Sequence, residues 1–448
     1  MKLKPIFGTI FFASTLLATS GGAQAADLLQ TFHAAQASDP VFAAARATQQ
    51  AGQEKLVQGR SLLMPTINLN ANSSYNNFAV DYYPVGIANT EISYNSHGFG
   101  LTLVQPLYRQ QNWMNYSESE LQAAQAGLQF QIAEQDLMLR VAQAYFDVLI
   151  AQDSVGLVNA QKIAISEQLQ QAKRNFEVGS ATITDTLEAQ ARYDLTGAQE
   201  IAAQNNLAIK RNALQQLINV MPGDLSTLGK AFKLDQPQPA DIQKWVDQAQ
   251  SSNMQLAIAQ ASAEIADKEV ARNRGGHYPT VDLVANYAVN SSYGSSFGGP
   301  LGLGADATTK SIGVQFNMPL YQGGVVSSKF REAEANRERA RQDLENARRN
   351  VEQQARQSYL GVVSGIAQVQ ALEQAQASSE SVLQASKLGQ EVGVRTNLDV
   401  LNAQQQLFST RRDLYQAQYN YLLSTLHLKQ AVGSLSEEDL IKVNQALH

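Results

Sequence analysis

Leu137, Val141, Ala144, Val148, Ala151, Val155 and Val158 alternate spacings of four and three residues, which aligns them as the apolar seam of a coiled-coil helix. Moving 214 positions along gives Val351, Ala355, Ser358, Val362, Gly365, Val369 and Leu372, a second seam whose mostly small side chains allow close helix approach. Neither 107–221 nor 320–448 contains proline, so a helical hydrogen-bond ladder can run unbroken through both. A helix from about Asn112 to Glu177 reaches on the order of 100 Å at about 1.5 Å per residue. No ordinary globular domain needs that length.

Between the helical regions the period falls to two. Ile67, Leu69 and Ala71 alternate with Asn68, Asn70 and Asn72, and Val281, Leu283, Ala285 and Tyr287 share one face with Asp282 and Asn286 opposite. Phe99, Leu101 and Leu103 keep the same period, as do Ile312, Val314, Phe316 and Met318 against Gln315 and Asn317. The pattern predicts four strands, each with an apolar and a largely polar face, joined in pairs by polar loops near 76–93 and 291–310. Alternating runs of about ten residues are the mark of an outer-membrane barrel, apolar side to lipid and polar side to lumen.

The strands and helices are written twice. Val178, Gly179, Thr182, Asp185, Leu187, Ala189 and Gln190 recur 214 residues later as Val392, Gly393, Thr396, Asp399, Leu401, Ala403 and Gln404. Gln105-Pro106-Leu107-Tyr108 returns 213 later as Met318-Pro319-Leu320-Tyr321. One tandem duplication follows. Repeat 1 spans 26–221, with a helix, two barrel strands near 65–106 and a long helical hairpin. Repeat 2 spans 251–432, with its strands near 279–319. Segments 222–250 and 433–448 read as short helices and turns of a small mixed domain outside the tube.

Four strands cannot close a barrel, and an open edge in hydrocarbon leaves backbone groups unpaired at several kcal/mol each. The barrel must be shared among chains. Eight strands enclose a bore filled by side chains whereas twelve leave it open, which favours a trimer with a helical tube continuing the bore by the same symmetry.

Composition agrees with this picture. Lys2 and Lys4, an apolar run from Ile6 to Leu17, and Ala23-Gln24-Ala25 make a secretory signal peptide over 1–25. No other apolar stretch approaches the roughly 20 residues of a membrane-spanning helix, so only a β-barrel can cross a bilayer. Charged residues are 17% of the chain against a usual value of about 25%, and the abundant Ala, Gln, Asn and Ser suit a water-facing lumen. Removing Lys2 and Lys4 takes the formal charge from −6 to −8, which argues against nucleic acid as a partner. Cysteine is absent, which excludes disulfides, thiolate metal sites, a thiol nucleophile and a lipid anchor on an N-terminal cysteine.

Enzyme chemistry finds little to stand on. His33, His97, His277, His427 and His448 show no metal-ligand spacing, and no G-x-S-x-G or Gly-rich phosphate loop stands out. No cofactor or metal is expected. The run "REAEANRERARQDLENARRN" from Arg331 interleaves Arg with Glu, which marks a solvated helix face.

Together these features resemble the TolC family of outer-membrane channel-tunnels over essentially the whole mature chain. The resemblance rests on the duplication, "PTINL" and "PTVDL" opening strands, "MPLYQGG" closing one, "NFEVGSATITD" and "EVGVRTNLD" at two helix turns, and the C-terminal "LNAQQQLFSTRRDLYQAQYNYL". It implies a homotrimer whose twelve-stranded barrel sits in outer-membrane lipid and whose helical tunnel crosses the periplasm. There it would meet an inner-membrane transporter of RND, ABC or MFS type through a periplasmic adaptor (membrane fusion) protein. Such a duct serves a tripartite efflux pump or a type I secretion system, with cargo chosen by the inner-membrane partners. The alternative is a secreted or periplasmic coiled-coil protein whose strands form a small soluble sheet.

The resemblance also assigns residues. Val178-Gly179-Ser180 and Val392-Gly393-Val394 fall at helix-to-helix turns of the periplasmic tip and are expected to contact the adaptor, though the same residues suit a tight turn by themselves. Asp399 maps to an acidic ring at the aperture; as a residue type it also suits a helix N-cap. Asn402 stands where a second acid is expected, reducing two rings to one. The family's latch maps to Arg395 bonding Thr184 and Asp185 of a neighbouring hairpin, with Gln390 in place of the latch tyrosine.

Overall fold

The computed structural model describes residues 27–447 except 81–82, 84–89, 230–232 and 294–303. The signal peptide expected at 1–25 and the centres of both strand-connecting loops lie outside the described residues.

The order of elements is α1 (Leu28–Ser38), α2 (Pro40–Ser61), β1 (Thr66–Val80), β2 (Thr90–Tyr108), α3 (Gln110–Glu177), α4 (Ile183–Ile218), α5 (Ile242–Ser252), α6 (Met254–Arg274), β3 (Thr280–Ser292), β4 (Ala305–Asn317), α7 (Val325–Glu391), α8 (Asn397–Ala431) and α9 (Glu437–Asn444). The proline-free regions are indeed helical: α3 has 68 residues and α7 has 67. Along the first seam Leu137, Val141, Val148 and Ala151 are buried, and along the second Val351, Ala355, Val362 and Val369. Gly365 allows the backbone and side chain of Tyr421 on α8 to lie within about 4 Å of where a Cβ would stand. Ion pairs such as Arg349–Glu345 at 2.9 Å and Arg341–Asp267 at 3.4 Å line the charged stretch of α7.

Two boundaries differ from the sequence expectation. The second copy begins before residue 251, because α5 repeats α1: Asp27 caps α1 through Gln30 N–H, and Asp241 caps α5 through Gln243 N–H. Asp39 and Asn253, which cap α2 and α6, also correspond. Low sequence similarity between α1 and α5 conceals this; besides the caps, only Ala35, Gln36 and Ser38 recur at the 214-residue offset, as Ala249, Gln250 and Ser252. In addition, much of the loop placed at 76–93 is strand. Asn76 Nδ2 donates to Ser96 Oγ at 2.8 Å, and Asn77 Nδ2 to Glu91 Oε1 at 3.0 Å, so polar side chains pair across the ladder where apolar alternation has ended.

The strands form one antiparallel sheet in the order β1-β2-β3-β4. Its main core counterpart is a belt halfway down the helices, where Tyr145, Phe146, Leu149 and Tyr419 are fully buried with Trp245 of α5 and Leu440 of α9. Tyr419 donates to Asp153 Oδ2 at 2.9 Å across α8 and α3, and Trp245 Nε1 donates to the Pro239 carbonyl at 2.7 Å. The segments on either side of α5 and around α9 thus pack onto the helical hairpins.

Candidate functional site

The sheet separates two chemistries. Across the ladder Leu69 opposes Leu101, Leu101 opposes Tyr287, and Leu103 opposes Ala285, which opposes Ile312. These side chains share one face. Asn68 opposes Thr102, Thr102 opposes Asn286, and Asn286 opposes Ser311 on the other. On the apolar face Ile312 is 76% exposed, Leu69 68% and Phe316 64%, an arrangement that only a non-aqueous surrounding makes favourable. No helix among the described residues is long and apolar enough to cross a membrane.

Where the sheet passes into the helices, Arg109 Nε and Nη2 donate to Asp282 Oδ1 and Oδ2 at 2.8 and 2.6 Å. Asp282 is buried, so the fork fixes the exit of β2 against β3.

At the opposite end of the helices the repeated segments, 178–190 and 392–404, build the same turn twice. Gly179 and Gly393 both take φ 79°, a left-handed value open to glycine without a Cβ clash. The N–H of Ser180 bonds the Asn175 carbonyl at 2.8 Å and that of Gly179 bonds Phe176 at 3.0 Å; Val394 to Gly389 and Gly393 to Gln390 repeat this at 2.9 and 3.1 Å. Both ends therefore close with a Schellman motif. The next helix opens on a capping box, again in duplicate. Thr396 N–H and Oγ donate to Asp399 Oδ2 at 2.9 and 2.8 Å while Asp399 N–H donates to Thr396 Oγ at 3.2 Å, and Thr182 with Asp185 shows the same three distances. The N-cap is thus Thr396, and Asp399 is the third residue of the helix, a correction to the cap expected at Asp399 itself. The Thr396 backbone N–H, then its hydroxyl, then the Arg395 charge hold the Asp399 carboxyl below its ordinary value.

Val178, Val392 and Val394 project from these turns at 77, 67 and 76% exposure, and Ser180 is also exposed. Within one chain the expected latch residues do not meet. Arg395 Nη1 lies 3.8 Å from Asp399 Oδ1, Asp185 is engaged in its own capping box, Thr184 is exposed, and Gln390 Nε2 donates to Asn397 Oδ1 at 3.4 Å. Asn402 has a role that the sequence pattern did not reveal: its Oδ1 accepts from Arg192 Nη2 of α4 at 3.0 Å, and Arg192 also bonds Gln405. This tie joins the first hairpin to the second. Beside it, a small core of Ile165, Leu169, Ala172, Ala189 and Leu401 gives way to a cavity of about 340 Å³ among α3, α4 and α8. Packing between the hairpins is interrupted there and a polar contact spans the gap.

The family model described as outer membrane efflux protein matches residues 31–220 and 245–434, two blocks at the same 214-residue offset. The chain is 35% identical to the outer membrane protein TolC of Escherichia coli over 452 residues, covering 100% of this chain and 89% of that protein. It is 33% identical to the alkaline protease secretion protein AprF of Pseudomonas aeruginosa over 436 residues, covering 96% of this chain and 89% of that protein. Its fold matches the crystal structure of the Campylobacter jejuni CmeC outer membrane channel with a TM-score of 0.78 at 15% identity, covering 100% of this chain and 98% of that one.

Proposed function

Since this chain belongs to the outer membrane efflux protein family, we propose that three copies close one twelve-stranded barrel and one helical tunnel. The chain is an outer-membrane exit duct of efflux or type I secretion, a transport channel with its helices in the periplasm. The observation that carries the trimer is the sheet itself: one apolar face, one polar face, and two edge strands, β1 and β4, whose outer ladders pair with no strand among the described residues. Closure removes both edges at once. A small soluble sheet, as in a coiled-coil protein without a channel, needs no such apolar band.

At the tip we assign Val178-Gly179-Ser180 and Val392-Gly393-Val394 to the periplasmic adaptor, because apolar side chains held outward on rigid turns are suited to a partner rather than to water. An inner-membrane transporter of RND, ABC or MFS type would then supply the cargo. Asp399 supplies one carboxylate per chain to an aperture ring, and Arg395 reaches Thr184 and Asp185 of the neighbouring subunit. Mass measurement of the purified protein in mild detergent, followed by planar-bilayer recording, tests the reading: a trimer that conducts is expected, and a monodisperse monomer would refute it.

A further inference from the structure

The two edges of the sheet must meet each other on neighbouring subunits if the trimeric reading above holds, and this inference rests on it. We infer their register: Phe316 of β4 faces Ala71 of the partner subunit, Val314 faces Ser73 of the partner subunit, and Met318 faces Leu69 of the partner subunit.

The duplication fixes this. In the first hairpin Thr66 opposes Val104, Asn68 opposes Thr102 and Asn76 opposes Tyr94. In the second, Thr280 opposes Asn317, Asp282 opposes Gln315 and Asn290 opposes Ala307. Each β1 number rises by 214 and each β2 number by 213, so the copies share their ladder register as well as their sequence. The joint between copies is β2 against β3, with Leu101 opposite Tyr287, Leu103 opposite Ala285 and Gln105 opposite Leu283. Ring closure makes the same joint with the copies exchanged: β4 takes the place of β2, and β1 of the next subunit takes the place of β3. Applying the two offsets to the observed pairs yields the register above.

Side-chain chemistry agrees. The transferred pairs place Gln315 opposite Asn72 of the partner subunit and Asn317 opposite Asn70 of the partner subunit on the polar face, while Phe316 and Met318 stay with apolar partners. A slip of one residue would turn Phe316 towards asparagines and reverse both faces. A slip of two preserves the alternation, so only the repeat excludes it. One feature of the intrachain joint is not copied: Asn68 and Gln322 occupy the positions of Asp282 and Arg109, so amides replace the ion pair at the joint between subunits. Gly323 and Gly324, both at positive φ, also send the chain beyond β4 on a different path.

The absence of cysteine makes a disulfide scan clean. Opposed Cβ atoms in an antiparallel pair lie about 4.5–5.5 Å apart and diagonal ones about 7–8 Å, whereas a disulfide needs about 3.5–4.5 Å. In the full chain, Phe316→Cys with Ala71→Cys should oxidise to covalent trimers on a non-reducing gel at least about tenfold faster than Phe316→Cys with Leu69→Cys or with Ser73→Cys. Val314→Cys with Ser73→Cys repeats the test should Phe316→Cys impair assembly. A displaced pair that oxidises as fast, or no crosslink in protein whose mass in detergent is trimeric, overturns the register and leaves the trimer standing. A monomeric mass would instead remove the trimer, and the register with it.

Discussion

Arg109 and Asp282 are 173 residues apart in sequence and joined by two hydrogen bonds of 2.8 and 2.6 Å. The guanidinium stands at the start of α3 and the carboxylate is buried on β3, so the pair binds the exit of the first copy's strands to the second copy's sheet. Removing only one partner should hurt more than removing both. Arg109→Met leaves Asp282 buried without its cation and is expected to cost about 2 kcal/mol, read as a lower midpoint of thermal unfolding in detergent. Adding Asp282→Leu should recover much of that loss. A midpoint for Arg109→Met equal to the wild type would show that the bridge contributes little, and equal lowered midpoints for the single and the double variant would show that the unpaired carboxylate is not the cause of the loss.

The tie from Arg192 to Asn402 and Gln405 crosses between hairpins beside a cavity, where little packing replaces it. Arg192→Ala should therefore free α8 relative to α4 near the tip. Loss of about 1 kcal/mol of charge-assisted bonding corresponds to roughly a fivefold shift towards open states. Single-channel recording should show more frequent openings, with trimer stability unchanged. Conductance and opening statistics identical to the wild type would leave Arg192 as a surface contact only.

Much of this architecture is legible in the sequence because the forces involved are local or periodic. Alternation at Leu69 and Phe316 reports which face meets lipid, and Gly179 with Thr182 and Asp185 specifies a turn through its own backbone bonds. Contacts between distant residues carry no such signature. Nothing near Arg192 in sequence points to Asn402, and nothing near Arg109 points to Asp282. The strand extension over Asn76 and Asn77 was hidden for a different reason: above the apolar band, polar pairs sustain the ladder, and their alternation has no hydrophobic contrast to read. α1 and α5 are equivalent through their caps and a few matched positions such as Ala35 and Ala249, too few to mark the start of the second copy in the sequence.

The exposed valines of the two tip turns give a test of the adaptor assignment. Val392→Asp places a charge where an apolar contact is expected and disturbs no buried neighbour, since Val392 is 67% exposed. Co-purification of the adaptor should fall sharply, while trimer mass and conductance in bilayers stay at wild-type values. Undiminished adaptor recovery from Val392→Asp combined with Val178→Asp would reduce these residues to good turn formers.

Asp399 is asked to do two things, cap a helix and charge an aperture, and a substitution can separate them. Asp399→Asn keeps an oxygen that can accept from Thr396 N–H, so the capping geometry survives, but it removes the charge from all three chains. Cation preference and block by trivalent cations should then be lost, because Asn402 supplies no second ring. The pH dependence follows from the same hydrogen bonds. The Thr396 N–H, the Thr396 hydroxyl and the Arg395 charge favour the ionised form and hold the Asp399 pKa below its ordinary value of 3.8. A depressed carboxyl contributes its stabilisation above the unfolded value and loses it only as pH falls through the folded one, so capping alone predicts cation block unchanged from neutral pH down past the ordinary value. Repulsion among three carboxylates near one axis acts in the opposite direction. Recording block by a trivalent cation across that range therefore weighs the two: loss of block well above 3.8 would place the three charges close together, and block that persists to that value would place them apart. Wild-type selectivity and block in Asp399→Asn trimers would show that Asp399 is a helix-capping residue only and that the constriction is formed elsewhere.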